Sequence, residues 1–118
     1  MDILIVEDDV VFCKLLTKYL NKENYFTQDA QDVFTAKQLI ENQKFKFVII
    51  DYRLPGANGL MFSQWLIDRD DEVKIILMSR ILDEELMSEG KKLGIIDFIK
   101  KPLNPKDLLG IIKQNSKV

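Results

Sequence analysis

The chain has 118 residues, enough for one domain and too few for two, and its 47% hydrophobic content can build a core without a metal or disulfide staple. Seventeen basic residues against nineteen acidic ones leave a net charge of −2, which argues against a general binder of nucleic acid or anionic membrane. The absence of histidine excludes Ser-His-Asp and Cys-His catalysis, histidine metal sites and a histidine pH switch; the single Cys13 allows no internal disulfide and suits a reducing, cytoplasmic setting.

The first apolar run, Ile3 to Val6, reads as a strand. It stops at Glu7-Asp8-Asp9, far short of the roughly 20 residues that span a bilayer, and no basic segment precedes it as in a signal peptide. Phe12, Leu15, Leu16, Tyr19 and Leu20 recur at helical spacing, with Lys14, Lys18, Asn21 and Lys22 off that face. A weaker strand is expected over 25–29, then a helix carrying Val33, Ala36, Leu39 and Ile40. Phe47 to Ile50 is a strand without polar alternation, the pattern of a strand covered on both faces. Pro55-Gly56 sets a turn, and Asn58 can cap a third helix running from Leu60 to Asp70. Ile75 to Met78 is another buried strand. A fourth helix from Leu82 to Leu93 opens on Asp83, Glu84 and Glu85, which suit a helix N-terminus. A strand is expected over 95–99. The last helix has Asn104 as cap, Pro105 at its first position, Asp107 able to bond back to the cap, and Leu108, Leu109, Ile111 and Ile112 as its apolar face.

Five alternations of strand and helix predict a doubly wound α/β sandwich: a parallel sheet with helices on both faces and right-handed crossovers. An α+β fold is the weaker alternative. In such sheets ligands bind beyond the carboxyl ends of the strands. Glu7, Asp8 and Asp9 follow the first strand, Asp51 the third, Ser79 and Arg80 the fourth, and Lys100 and Lys101 the fifth. In the flavodoxin-like order 2-1-3-4-5 the first and third strands are neighbours, so their acids converge on one edge.

Carboxylates at close range repel, and unneutralised, one would keep its proton. A divalent cation removes the conflict, and oxygen ligands alone favour Mg²⁺, Mn²⁺ or Ca²⁺. Glu7, Asp8 and Asp51 against a divalent metal and Lys101 form a balanced site that can accept a phosphoryl group on an aspartate. Taken singly these features read more plainly. Asp8 or Asp9 could cap the first helix, Ser79 could be a loop hydroxyl, and Lys-Lys-Pro a surface turn. Cys13 and Trp65 read as packing residues, and Lys91-Lys92 as a solvated helix face.

Several motifs occur in order along the whole chain: Ile-Val-Glu-Asp-Asp at 5–9; Asp51 with Leu54-Pro55-Gly56 and Gly59; Met78-Ser79; Gly94 followed by Asp97-Phe98-Ile99; and Lys101-Pro102. In these the sequence resembles the CheY-like receiver domains of bacterial two-component response regulators, over a single domain of residues 1–118. The resemblance implies that Asp51 accepts a phosphoryl group from a sensor histidine kinase or phosphotransfer protein. Asp8 and Asp51 would bind Mg²⁺ directly, Mn²⁺ being the alternative, with Glu7 assisting through water and Arg53 offering its backbone carbonyl. Ser79 and Lys101 would contact the phosphoryl oxygens, and Phe98 would turn inward when Ser79 moves. The Lys101–Pro102 bond is expected to be cis. Output would pass through the fourth helix, fifth strand and fifth helix to a partner or output domain, without direct contact to nucleic acid or membrane.

Four positions depart from the usual pattern. Glu7 replaces an aspartate, Phe98 lacks a tyrosine hydroxyl, Ile95 stands where alanine is usual, and Arg80 follows Ser79 where a small residue is usual. Arg80 is expected to narrow access to the pocket or to add a second cation. The competing readings are a degenerate receiver acting as a binding module, a flavodoxin-like cofactor binder, and a haloacid-dehalogenase-like phosphatase. Glu7-Asp8-Asp9 would repel a phosphate from a cofactor cradle, and Arg53 stands where the phosphatases carry a second acid. The last helix, with Gly110 and Ile111, does not supply an obvious charged pairing surface, which leaves a homodimer open. The sequence also leaves open whether the domain stands alone or heads a longer protein.

Overall fold

A computed structural model describes residues 2–116. Five parallel strands, β1 (Asp2–Val6), β2 (Phe26–Ala30), β3 (Phe47–Asp51), β4 (Lys74–Ser79) and β5 (Asp97–Lys100), form one sheet in the order 2-1-3-4-5. Helices α1 (Val10–Lys22), α2 (Val33–Asn42), α3 (Gly59–Arg69), α4 (Glu84–Leu93) and α5 (Pro105–Asn115) connect and cover it. This is the flavodoxin-like doubly wound sandwich expected from the alternation.

The continuous apolar runs are explained by the two cores. Ile3, Ile5, Phe47, Ile49, Ile76 and Met78 point to the face covered by α1 and α5, where they meet Leu16, Leu20, Leu108 and Ile112. The intervening Leu4, Val6, Val48, Ile50, Ile75 and Leu77 point to the other face and meet Ala36, Phe62 and Leu66 of α2 and α3. Burying each such side chain contributes about 1.5–3 kcal/mol relative to leaving it exposed.

Side chains that need few neighbours set the element ends. Asp9, Asp32, Asn58, Asp83 and Asn104 each accept a bond from a backbone N–H in the first turn of the following helix. Asp9 is therefore a cap, as one plain reading of the acidic cluster had it. The Asn104 side chain takes the Lys106 N–H, and Asp107 meets the cap through its own backbone N–H, which donates to the Asn104 carbonyl at 2.9 Å, rather than through its carboxylate.

Most element ends shift by a residue or two from the sequence expectation: β2 is 26–30 rather than 25–29, α3 is 59–69 rather than 60–70, and α4 starts at Glu84 with Asp83 as its cap rather than at Leu82. Two departures matter more. The last strand starts at Asp97, not at 95. Gly94 ends α4 in the left-handed region at φ 110°, and Ile95 N–H then returns to Gly90 O, so Ile95 is buried as part of the helix cap. The segment between β3 and α3 was expected as a loop with a turn. It contains a two-residue antiparallel pairing, Arg53–Leu54 against Ala57–Asn58, closed by Gly56 at φ 72°.

Candidate functional site

Glu7, Asp51, Ser79 and Lys101 each stand at or just past the end of a strand. Glu7 N–H bonds to Ala30 O, which carries β1 one residue beyond its last pair with β2. Asp51 is the last residue of β3, paired in register with Met78. Ser79 ends β4, and Lys101 N–H bonds to its carbonyl at 2.8 Å. Lys101 is followed by a cis bond to Pro102, as expected.

The sheet order brings these ends together. The Lys101 ammonium donates to Asp51 Oδ2 at 3.1 Å and to Glu7 Oε1. It also lies 5.2 Å from the centre of the Phe12 ring. Ligand oxygens of Glu7, Asp8 and Asp51 all lie within 4.8 Å of one another. Glu7 is fully buried, Asp51 is nearly so, and Asp8 is exposed. Burial pushes the Glu7 carboxyl up to about 8, and the neighbouring Asp51 adds to this against the pull of Lys101. Burial alone would lower the Lys101 pKa, but its bonds to Glu7 and Asp51 outweigh that and raise it.

Two openings flank Asp51. One, of about 380 Å³, is lined by Glu7, Asp8, Asp9, Arg53, Pro55 and Lys101. The other, of about 520 Å³, runs from Asp51, Ser79 and Lys101 past Tyr52 and Ile81 to Leu86 and Glu89 of α4. Arg53 and Arg80 border both. The Ser79 hydroxyl donates to Ile81 O at 2.8 Å and accepts from Ile81 N–H at 3.2 Å, so it is engaged within its own loop. Phe98 is half-buried and packs on the α2–α3–α4 side of the sheet. It pairs in register with Leu77 of β4.

The donor set fits a small oxygen-seeking cation. Glu7 Oε2 is buried without a hydrogen-bond partner among the described residues. An orphaned buried carboxylate oxygen beside two more carboxylates is what a hard divalent cation would satisfy.

Two residues of the site carried no role in the sequence reading. Phe12 is an apolar-face residue by spacing, and nothing in the sequence shows that Lys101 stacks on it. Gly59 stands so close to β3 that a Cβ there would meet Asp51 O at 2.7 Å and Leu77 Cδ1 at 2.8 Å. Its place in Asn58-Gly59 marks a turn, but the close approach needs the fold to be seen.

Residues 3–113 match the response regulator receiver domain family. The chain belongs to that family. Receiver domains are regulatory signalling domains of two-component systems rather than enzymes of the ordinary kind, and bind Mg²⁺ at an acidic pocket. The chain is 35% identical over 116 residues to the transcriptional regulatory protein AruR of Pseudomonas aeruginosa, covering 94% of this chain and 47% of that protein. It is 26% identical over 112 residues to sporulation initiation phosphotransferase F of Bacillus subtilis, covering 95% of this chain and 90% of that one. The chain thus spans about half of the first relative and nearly all of the second. Among solved structures, the non-phosphorylated HemR receiver domain from Leptospira biflexa superposes with a TM-score of 0.92 at 25% identity, over 99% of this chain and 94% of that one. Among the described residues, no helix of this receiver domain is long and apolar enough to cross a membrane.

Proposed function

We propose that the chain is a single receiver domain, residues 1–118, that accepts a phosphoryl group on Asp51 from the phosphohistidine of a sensor kinase or phosphotransfer protein. The observation that carries this is the convergence of Asp51, Lys101 and Glu7, with Asp8 alongside, at the carboxyl ends of β1, β3 and β5. In the transfer an Asp51 carboxylate oxygen forms the O–P bond, the P–N bond to the donor imidazole breaks, and the imidazole takes a proton. Asp8 and Asp51, with the Arg53 carbonyl and Glu7 through water, would hold Mg²⁺ or Mn²⁺. That ion supplies positive charge to the transferred oxygens. Lys101 orients Asp51 at rest and follows the phosphoryl oxygens afterwards. Ser79 exchanges its bonds to Ile81 for one to the phosphoryl group, and Phe98 follows. Arg80, bordering both openings, gates the approach to Asp51.

A protein donor is supported by the exposed apolar side chains at this edge. Val10 and Val11 open α1, Met61 lies in the first turn of α3, and Ile81 lies in the loop after β4, each more than half exposed. The output surface is α4, β5 and α5, facing a partner protein, an output domain or a second copy of the chain. The setting is cytoplasmic, where the kinases that feed such domains place their phosphohistidines.

The position of Arg80 between the two openings favours one second reading, a phosphorylation-independent binding module. Titration with beryllofluoride, with and without Mg²⁺, separates the two. Mg²⁺-dependent stabilisation of about 2.7 kcal/mol at 100 times the dissociation constant, absent in Asp51→Asn, is the expected result. No response at high Mg²⁺ would leave the binding module.

A further inference from the structure

Helix α4 holds a glycine that its own backbone does not require. Gly90 lies inside the helix and lacks the positive φ of Gly56 and Gly94. Glycine weakens a helix relative to alanine, because it has more backbone freedom to lose. The reason for it lies across the helix–sheet interface. A Cβ at position 90 would stand 2.7 Å from both Cε1 and Cζ of Phe98, and 3.3 Å from Cδ1 of Ile95. Phe98 comes from β5 and Ile95 from the turn that leads into it. The missing side chain is a socket, and the tip of the Phe98 ring fills it. In the same arrangement the Ser79 hydroxyl is held by both backbone groups of Ile81.

We propose that Gly90 is a positioning residue of the switch: it seats the Phe98 ring against α4 while Ser79 is latched to Ile81, and phosphorylation draws the ring out of this socket. The proposal rests on the phosphoacceptor reading above. A ring that leaves opens a void opposite a residue with no side chain to fill it. Interiors packed to the density of organic crystals do not keep such voids, so α4 moves to close it. The socket thereby ties the position of one ring to the position of a helix. The coupling needs no hydroxyl on the ring, which suits a phenylalanine at this place.

The test uses Gly90→Ala. The clash falls on the far end of a rotatable side chain, so the ring gives way before the backbone does. In the ligand-free variant the Ile95 δ1 methyl should move toward an unshifted NMR position, because the ring beside it has left. With the seated state disfavoured, beryllofluoride in Mg²⁺ should bind about tenfold more tightly, the scale of relieving one methyl-sized intrusion. Adding Phe98→Leu, which removes Cε1 and Cζ, should bring the affinity back toward that of Phe98→Leu alone. If Gly90→Ala does not fold, Ile95→Ala takes away one wall of the socket, so the seated ring loses packing and the affinity should rise in the same direction. An unmoved methyl together with unchanged or weakened affinity would overturn the proposal. If the unmodified chain fails to bind beryllofluoride, the phosphoacceptor reading falls, and the methyl shift alone decides whether Gly90 seats the ring.

Discussion

Of the cations that border Asp51, the fold treats Lys101 and Arg80 in opposite ways. Lys101 is largely buried, bonded to Glu7 and Asp51, and stacked near Phe12. Arg80 is exposed, with no ion-pair partner within 4 Å among the described residues. The buried lysine is part of the resting structure, because without it two nearly dry carboxylates would face each other. The exposed arginine is not part of that structure, and it is free to respond to whatever enters. One residue serves stability and function together; the other can be spent on function alone.

Removing Lys101 tests the first half of this contrast. Lys101→Met should cost about 3 kcal/mol in denaturant unfolding at pH 8 without metal, because breaking a buried pair strands its partners. Added Mg²⁺ should restore part of the loss. A cost below about 0.5 kcal/mol, the ordinary range for surface changes, would place Lys101 with Arg80.

The acid side gives the second prediction. The Glu7 carboxyl is raised to about 8 in the folded chain. Its protonated form is favoured by folding, so the stability it contributes is full below its unfolded value of 4.5 and is lost as pH rises through about 8. The ligand-free chain should therefore unfold more easily at pH 9 than at pH 6. Glu7→Gln should flatten that slope, and a slope that survives the substitution would assign it to another group. Mg²⁺ competes with the same proton, so its apparent affinity should rise over the same range.

Arg80→Ala should leave the unfolding midpoint within about 0.5 kcal/mol of the parent, as for an exposed side chain without partners. The rates of phosphorylation or dephosphorylation should change; unchanged rates would end its role as a gate. Smallest of all is Cys13. Burial pushes its thiol up to about 12, with the Asp29 charge adding to this. Alkylating reagents should label it only on unfolding, and labelling at the rate of a free thiol would contradict its burial.

The sequence disclosed the sheet, its order and the residues at its carboxyl edge, because buried parallel strands leave continuous apolar runs and the chemistry follows directly after them. The three consecutive acids were harder to separate. Glu7 is buried against Lys101, Asp8 turns to the acid cluster and Asp9 caps α1, yet all three occupy one short stretch. Their fates depend on which backbone N–H or cation lies opposite, which spacing does not encode. The apolar Ile95 read as strand because it adjoins one; its burial comes from the helix cap instead. Gly59 and Gly90 were legible as glycines but not as close approaches, since both are defined by atoms from distant parts of the chain.

The helices also differ in how deeply they are anchored. α5 buries Leu108, Leu109 and Ile112, whereas α4 buries only Gly90, against which Phe98 and Ile95 lie, and half-buries Leu86. A helix rooted in this way can be re-cut on its outer side without disturbing the interior. Its outer positions are thus free to diverge among descendants of this chain, and new listeners can be acquired while the chemistry at the far edge of the sheet stays as it is.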